Sequence, residues 1–476
     1  MNTEGLTALL PFIILSLTAI VVMLAISVRR NHLLTVVLTL TGIALTLASI
    51  SVVLCQVPRD VTLLIKIDLY ALFFLCLILI GTFAVTAISY AYFEGRSGER
   101  EEFYLLLLLA TLGAMVLTAA THFASLFLGI ELLSVSLYAL TAYHRHSLRS
   151  TEAGVKYLTL AAVSSAILLF GMALVYAGTG SMAFTIIASR IGSPTSYNLL
   201  LTAGLAMALA GLGFKLAVVP FHFWTPDVYE GAPAPVTAFV ATISKGAVFA
   251  VLLRIFTSIN IHEQPALILI MSIVAIASMF VGNLLALQQN NVKRILAYSS
   301  ISHLGYLLVT LLASGPMAIA AAAFYLVAYF ITTIGAFGVV SMLSSKDRDA
   351  DRIDDYRGLA WRNPWLAAVF SAMLFSLAGI PLTAGFVGKF YAVSAGAESS
   401  LWALVIVLVI NSALGLFYYL RIIAELFERT AEQAAEPAVP SSAFGNAVLA
   451  CLMLLLIWLG VYPGPMIEII VKAMRF

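Results

Sequence analysis

The sequence predicts an all-α polytopic membrane protein of about 14 transmembrane helices. Three observations predict it. Hydrophobic residues make up 62% of the 476-residue chain and charged residues only 10%. Mean hydropathy is +1.05. Apolar runs of spanning length recur from one end to the other. Soluble domains average roughly 45–50% apolar and about 25% charged residues. No stretch is long and polar enough to form a soluble domain.

A spanning helix needs about 20 mostly apolar residues. Runs of that kind lie near 6–28, 32–55, 69–93, 103–120, 122–142, 152–177, 199–224, 233–257, 263–287, 294–314, 316–344, 363–395, 400–428 and 443–471. The fourth and fifth are short and nearly continuous across the THF at 121–123. Residues 178–198 contain Gly, Ser and Pro and read as a loop, with room for a short interfacial helix. The longest polar stretches are 344–364 and 428–442. The first run has no cationic region before it, and Arg29 and Arg30 follow it. That is the wrong polarity for a cleaved signal peptide and suits a retained first helix with its N-terminus outside.

Lysine and arginine set the topology. If Arg29 and Arg30 face inside, then Arg96, Arg100, Arg145, Arg149, Lys156, Lys293, Arg294, Lys346, Arg348, Arg352, Arg357, Arg362, Arg421 and Arg429 do too. Only Arg59, Lys66, Arg190, Arg254, Lys472 and Arg475 fall outside, so the count is 16 against 6. The positive-inside rule then places both termini on the periplasmic side. Lys156 and Arg254 lie near helix ends, where a long stem can snorkel to the interface.

Four ionisable residues remain at depth: Glu131 in the fifth run, Lys215 in the seventh, Lys245 in the eighth and Lys389 in the twelfth. Each costs roughly 2.5–3.5 kcal/mol near a helix centre, about 10 kcal/mol together. Glu131 has about nine residues of its run on either side, and Lys245 about twelve. Two readings compete. One Glu–Lys ion pair could hold helices together, but it leaves two lysines without an acidic partner. Alternatively the residues form a proton path. Burial favours the neutral amine and a nearby carboxylate favours the ammonium, so moving the carboxylate or water switches the lysine.

Two of these helices are interrupted. The seventh reads GLGFKLAVVPFHFW, with Pro220 five residues after Lys215. The twelfth reads SLAGIPLTAGFVGKFYAV, with Gly379, Pro381, Gly385 and Gly388 before Lys389. Proline removes a backbone donor and frees a carbonyl. Irregular backbone at this depth is tolerated only inside protein or beside water. Interrupted segments at matching places are the mark of inverted-repeat transporters. Here they lie five helices apart, an odd number, so the second unit enters from the opposite face. This predicts two inverted repeats, helices 4–8 (101–258) and 9–13 (259–430), flanked by 1–100 and 431–476.

The tenth run, KRILAYSSISHLGYLLV, adds Ser299, Ser300, Ser302 and His303. A buried histidine can be a satisfied core residue. Beside lysines, His303 is also a relay candidate, because imidazole passes protons between its two nitrogens. His222 follows the first break. Other chemistry is missing from the text. No GxGxxG or Walker A stretch opens a strand–helix unit. Cys55, Cys76 and Cys451 are scattered, without iron–sulfur spacing. No His–His or Cys–His spacing suggests haem or zinc. A net charge of +2 says little about partners, and no nucleic-acid partner is expected.

The stretches GIELLSVSLYAL, GFKLAVVPFHFWTPDVYEGAPAPV, FVATISK, NVKRILAYSSISHLGYLL and SLAGIPLTAGFVGKF resemble the subunit N family of bacterial proton-pumping NADH–quinone oxidoreductase, complex I. The likeness runs over nearly the whole chain. The related larger antiporter-like subunits usually carry a histidine near the Lys245 position and an acidic residue where Lys389 stands. The resemblance implies an antiporter-like bundle and a proton channel driven by quinone reduction elsewhere. It implies a coupling pair of Glu131 and Lys215, a central Lys245, and Lys389 facing the periplasmic exit. NADH, FMN, iron–sulfur clusters and quinone would sit on partner subunits of the membrane arm and beyond, with no cofactor on this chain. The expected setting is the bacterial inner membrane, since no transit peptide precedes the first helix. The alternatives are a subunit of a multi-subunit sodium–proton antiporter or membrane-bound hydrogenase, and a scaffold that moves no ions.

Overall fold

The computed structural model describes residues 3–55, 57–96, 98–191, 199–259, 264–429 and 442–474. Most of the predicted polar stretch 428–442, part of the 178–198 loop and Arg475 lie outside them. In order, the helices are α1 (Thr3–Ala8), α2 (Leu10–Val28), α3 (His32–Leu54), α4 (Leu69–Phe93), α5 (Glu101–Ala119), α6 (Phe123–Thr141) and α7 (Leu148–Thr179). Then come α8 (Phe184–Ile191), α9 (Leu199–Leu216), α10 (Trp224–Gly231), α11 (Ala234–Phe239), α12 (Lys245–Ser258), α13 (Pro265–Leu287) and α14 (Val292–Leu312). The chain continues through α15 (Gly315–Leu343), α16 (Leu359–Arg362), α17 (Pro364–Ala378), α18 (Ala384–Glu398), α19 (Trp402–Phe427), α20 (Ala443–Val461) and α21 (Gly464–Ala473). A π-helical turn, Val240–Ser244, joins α11 to α12 as one span. Two-residue strands β1 (Arg59–Asp60) and β2 (Lys66–Ile67) pair antiparallel in the loop before α4.

Among the described residues, 13 spans are long and apolar enough to cross a membrane. They fall on 13 of the 14 expected runs. The remaining run, the twelfth, is divided into α17 and α18, each shorter than a full crossing. The 178–198 loop does carry a short helix, α8. Helix starts follow local chemistry. Asn31, Asp68, His122, Ser147, Asn291, Asn363, Thr383 and Ser442 each accept a hydrogen bond from a first-turn backbone N–H, satisfying donors that a helix N-terminus leaves free.

The core is not evenly apolar. The α11–α12 span and α14 are buried all round, and α15 nearly so, whereas α2, α13 and α20 bury only about a third of their residues or less. A helix buried on every side gives its polar residues only protein partners. That places the serine-rich α14 at the centre, packed against α10, α13, α15, α18 and α19.

Two expectations about snorkelling divide. Lys156 keeps a side chain 44% exposed and pairs with Asp227 and Glu152. Arg254 does not snorkel. It is 5% exposed and donates from both terminal nitrogens to Asp68, at 2.8 and 2.9 Å, and to the Thr118 carbonyl at 3.2 Å. Its guanidinium also lies over the Tyr70 ring. The carboxylate that receives it is the N-cap of α4, 186 residues away in sequence, so sequence spacing gave no sign of the pair.

Candidate functional site

The first break is held open by side chains from other helices. α9 ends at Leu216, one residue after Lys215. Ala217 takes a left-handed conformation, φ +61°, which a non-glycine residue adopts only when its surroundings enforce it. The Phe214 carbonyl accepts from the Ala217 N–H at 3.0 Å and from Trp224 Nε1 at 2.9 Å. The Val219 N–H finds Ser278 Oγ at 2.9 Å. Trp224 stacks on Tyr157, with centroids 4.8 Å apart. His222 is buried against the Phe223 ring and takes no part in the lysine contacts.

Lys215 turns away from this gap. Its Nζ donates to Ser134 Oγ on α6 at 2.7 Å. Ser134 lies three residues from Glu131, so the two project from one side of α6, one turn apart. The expected Glu131–Lys215 pair is therefore a neighbourhood and not a contact. Glu131 Oε1 is buried without a hydrogen-bond partner among the described residues.

Lys245, 1% exposed, donates to Ser300 Oγ on α14 at 2.7 Å. The same oxygen accepts from Tyr329 on α15 at 2.8 Å and lies 3.4 Å from the Tyr229 hydroxyl. Lys245 also faces the Tyr229 ring, 5.4 Å from its centroid. The π turn lies immediately before Lys245. Such bulges re-aim the following side chains and recur at functional sites.

One turn beyond Ser300, His303 continues the polar line. Its Nδ1 is 2.7 Å from the Tyr325 hydroxyl and its Nε2 is 3.3 Å from that of Tyr419. Tyr419 also hydrogen-bonds Ser299. Ser302 accepts from Asn283 at 2.9 Å. Asn283 further donates to Tyr306 and to Asn411, and accepts from Tyr418. All four polar positions of the tenth run are thus engaged. Because α14 is buried all round, they point to different neighbours and do not form one stripe.

The second break is built differently. α17 ends at Ala378, and Gly379 caps it in the left-handed region at φ +84°, where a residue without Cβ is not strained. Thr383 caps the next helix. Lys389, from α18, reaches back across the gap. Its Nζ donates to the Leu377 and Ala378 carbonyls at 2.8 and 2.9 Å and to Ser412 Oγ at 2.9 Å. The end of α17 thus presents unsatisfied carbonyls to a cation, where the helix dipole is negative. The Tyr306 ring lies 5.3 Å from Nζ.

Between His303 and this break lies a cavity of about 10 Å³, lined by Tyr325, Tyr329, Thr332, Ser376, Leu377 and Gly388 among others. The structure thus brings Lys245, His303 and Lys389 into one polar neighbourhood around α14 and α15. No hydrogen bond among the described residues joins Lys215 and Ser134 to it. None of Lys215, Lys245 and Lys389 has a carboxylate within 4.0 Å among the described residues, in contrast to the cations nearer the faces.

The tyrosines of this chain escaped the sequence reading. Tyr325, Tyr329 and Thr332 are spaced by four and three residues on α15, a one-face signal available in YLVAYFIT.

A second cluster, also missed, lies on the face that carries Arg30, Arg96 and Arg145. A polar cavity of about 1190 Å³ opens there. At its wall Asp349 accepts from Tyr92 at 2.6 Å and from Lys293 at 2.8 Å, with Arg96 3.5 Å away. Burial would raise the Asp349 carboxyl, but the Lys293 ammonium and these hydrogen bonds hold it down to about 2. His144 touches Tyr92 and Arg96; burial and then the Arg96 charge lower it to about 4. The run KDRDADRIDDYR showed the acids, but not that one of them folds under Lys293. Among the described residues no group of three or more His, Cys, Asp or Glu side chains could hold a metal ion.

Fold and site together define a class: multi-pass membrane proteins with two interrupted helices and buried lysines that rest on hydroxyls and backbone carbonyls. The family model described as NADH:quinone oxidoreductase/Mrp antiporter, TM, matches residues 120–415, and the chain belongs to this family. It is 49% identical to a protein of Ectopseudomonas mendocina (strain ymp) named NADH-quinone oxidoreductase subunit N, over 99% of this chain and 97% of that one. A chain in the structure of respiratory complex I from Thermus thermophilus with bound aureothin superposes with TM-score 0.82 at 33% identity, covering 96% of this chain and 98% of that chain. A chain of the Mrp complex from Dietzia sp. DQ12-45-1b superposes at 0.86, with 22% identity over 99% and 97%, a likeness of fold alone.

Proposed function

We propose that this chain is a membrane-arm subunit of a bacterial NADH–quinone oxidoreductase and translocates protons, driven by quinone reduction in other subunits. The observation that carries the reading is the set of deeply buried lysines whose partners are neutral. Lys215 rests on Ser134, Lys245 on Ser300, and Lys389 on two carbonyls and Ser412. A buried ion pair resists change, since removing either charge strands the other. A lysine held by a hydroxyl can release a proton and leave no unpaired anion behind.

In this reading Glu131 and Lys215 are the coupling element, Lys245 the central carrier, His303 the relay and Lys389 the exit. Moving one charge across the membrane costs about 2.3 kcal/mol per 100 mV. A shift of Glu131 toward or away from Lys215 changes a low-dielectric interaction worth several kcal/mol, which matches that demand. The matching breaks support two inverted units, 101–258 and 259–430, with 1–100 and 431–476 flanking them. The lysine and arginine count supports periplasmic termini in an inner membrane. NADH, FMN, iron–sulfur clusters and quinone belong to partner subunits, and the partners of this chain are the neighbouring membrane-arm subunits and lipid.

The second reading, a sodium–proton antiporter subunit, draws on the shared fold. Membranes lacking this chain separate the two. Loss of NADH-driven quinone reduction and of the associated proton uptake, restored by the chain, is expected. Intact NADH oxidation with loss of sodium–proton exchange would favour the antiporter.

A further inference from the structure

α9, α12 and α13 enclose a cavity of about 910 Å³ that lies apart from the lysine contacts. Ligand pockets run to about 300–1,000 Å³ and are mostly apolar. Thr202 and Gln264 supply the only polar side chains among the residues that line this one, and both stand at its rim.

The cavity is a cleft parallel to the helices. It runs down α9 from Leu201 to Leu216, down α13 from Pro265 to Val274 and along α12 from Ile259 to Leu252. At 1.5 Å per residue these walls are about 22, 14 and 10 Å deep. Leu308 of the buried α14 forms the back, and Val218, Pro220 and Phe221 of the first break form the floor. The bond from the Val219 N–H to Ser278 ties that floor to α13.

Depth selects the occupant. One leaflet of the hydrocarbon core is about 15 Å thick. A helix of a neighbouring subunit would have to cross both leaflets, and the floor at the first break stops it. A lipid tail ends near the bilayer centre, where the floor lies. α9 and α13 bury only about half and a third of their spans, so both walls belong to surface that a bilayer reaches. The rim suits a headgroup. α8 buries Phe184, Ile187 and Ile191 and leaves Arg190 exposed, the pattern of a helix lying in the membrane interface. Ile191 lines the cleft, so a cation stands one residue from its mouth. Arg190 complements a phosphate, and the walls below it accept hydrocarbon.

We propose that this cleft binds one anionic phospholipid, with its acyl tails between α9 and α13 down to the first break and its phosphate beside Arg190. Lipid binding here requires no proton path. Tails packed on Pro220 and Phe221 keep the segment that follows Lys215 seated on α13.

The test places the assembled complex in phosphatidylcholine vesicles that contain phosphatidylglycerol with a photoreactive group at the tail end. Labelled peptides are mapped by mass spectrometry. Labelling of α9 and of residues 220–221 above the background of other lipid-facing helices is expected. Ala206→Trp, which fills the cleft from α9, should reduce that labelling to background. Arg190→Gln should remove the advantage of phosphatidylglycerol over a phosphatidylcholine probe. Wild-type labelling at background overturns the site, as does labelling that Ala206→Trp leaves unchanged. Equal labelling by the two probes in the wild type overturns the headgroup assignment. A density map of the wild-type complex reads the site without any variant. Two-tailed density with its head at Arg190 is expected. An empty cleft, a quinone, or a side chain of a neighbouring subunit in that place refutes the proposal.

Discussion

The cations of this molecule divide by depth. Near the faces several are ion-paired: Arg254 with Asp68, Lys293 with Asp349, Lys156 and Arg294 with Asp227. At the centre Lys215, Lys245 and Lys389 rest on hydroxyls and carbonyls. The difference is chemical. A buried salt bridge fixes both protonation states, because discharging one partner leaves the other unpaired in a low dielectric. A lysine on a serine has no such lock. The faces therefore read as clamps that hold the bundle, and the centre as groups free to change charge.

The two kinds of site should respond to mutation in opposite ways. Lys245→Leu should give the largest functional effect, a loss of pumping and quinone reduction of at least tenfold, while the subunit still assembles. Only the neutral Ser300 hydroxyl loses its partner, and Tyr329 still donates to it. Blue-native electrophoresis beside activity measures both. Loss of the assembled complex would break the distinction.

Arg254→Leu should do the reverse. It strands a buried Asp68, at a cost of about 3–5 kcal/mol, and lowers the melting temperature of the complex. Adding Asp68→Leu should recover much of that loss. If the double variant is no more stable than the single one, the pair is not the clamp described here.

A smaller contrast lies among the central lysines themselves. Ser134→Ala removes the one hydrogen bond that the Lys215 side chain makes among the described residues, and a bond to a charged group is worth roughly 1.5–3 kcal/mol. Ser412→Ala leaves Lys389 its two carbonyls. The first change should depress pumping measurably more than the second. Equal effects would mean that the carbonyls at the second break contribute nothing.

The smallest expected effect concerns pH at the paired face. His144 is lowered from 6.5 to about 4, so it favours the folded state while neutral. That contribution is complete above pH 6.5 and fades as pH falls toward 4. Asp349, held near 2, keeps its contribution until pH drops below its unfolded value, about 3.9, and loses it on the way to 2. Thermal melts between pH 7 and 4.5 should therefore decline, and His144→Gln should flatten the decline. An unchanged slope would remove His144 as its source.

Much of this was legible in the sequence, and the limits have physical causes. The spans, the interrupted seventh and twelfth runs and the four deep charges follow from hydropathy and from the rarity of charge at depth. The serines and His303 of the tenth run stood out as polar residues grouped within an apolar run. The partners did not stand out. Asp68 and Arg254, or Lys245 and Ser300, are separated by 186 and 55 residues, and only packing brings them together. Tyrosines hide in apolar text, so Tyr329 and Tyr419 look like core until their hydroxyls are placed. That Ser134, one turn along from Glu131, takes the Lys215 ammonium was not legible either.

The most direct measurement is proton pumping alongside quinone reduction in the reconstituted complex carrying Lys215→Ala. The account predicts that both fall together while the complex remains assembled. Normal values for both would take Lys215 off the proton path and contradict the claim that the unpaired central lysines carry protons.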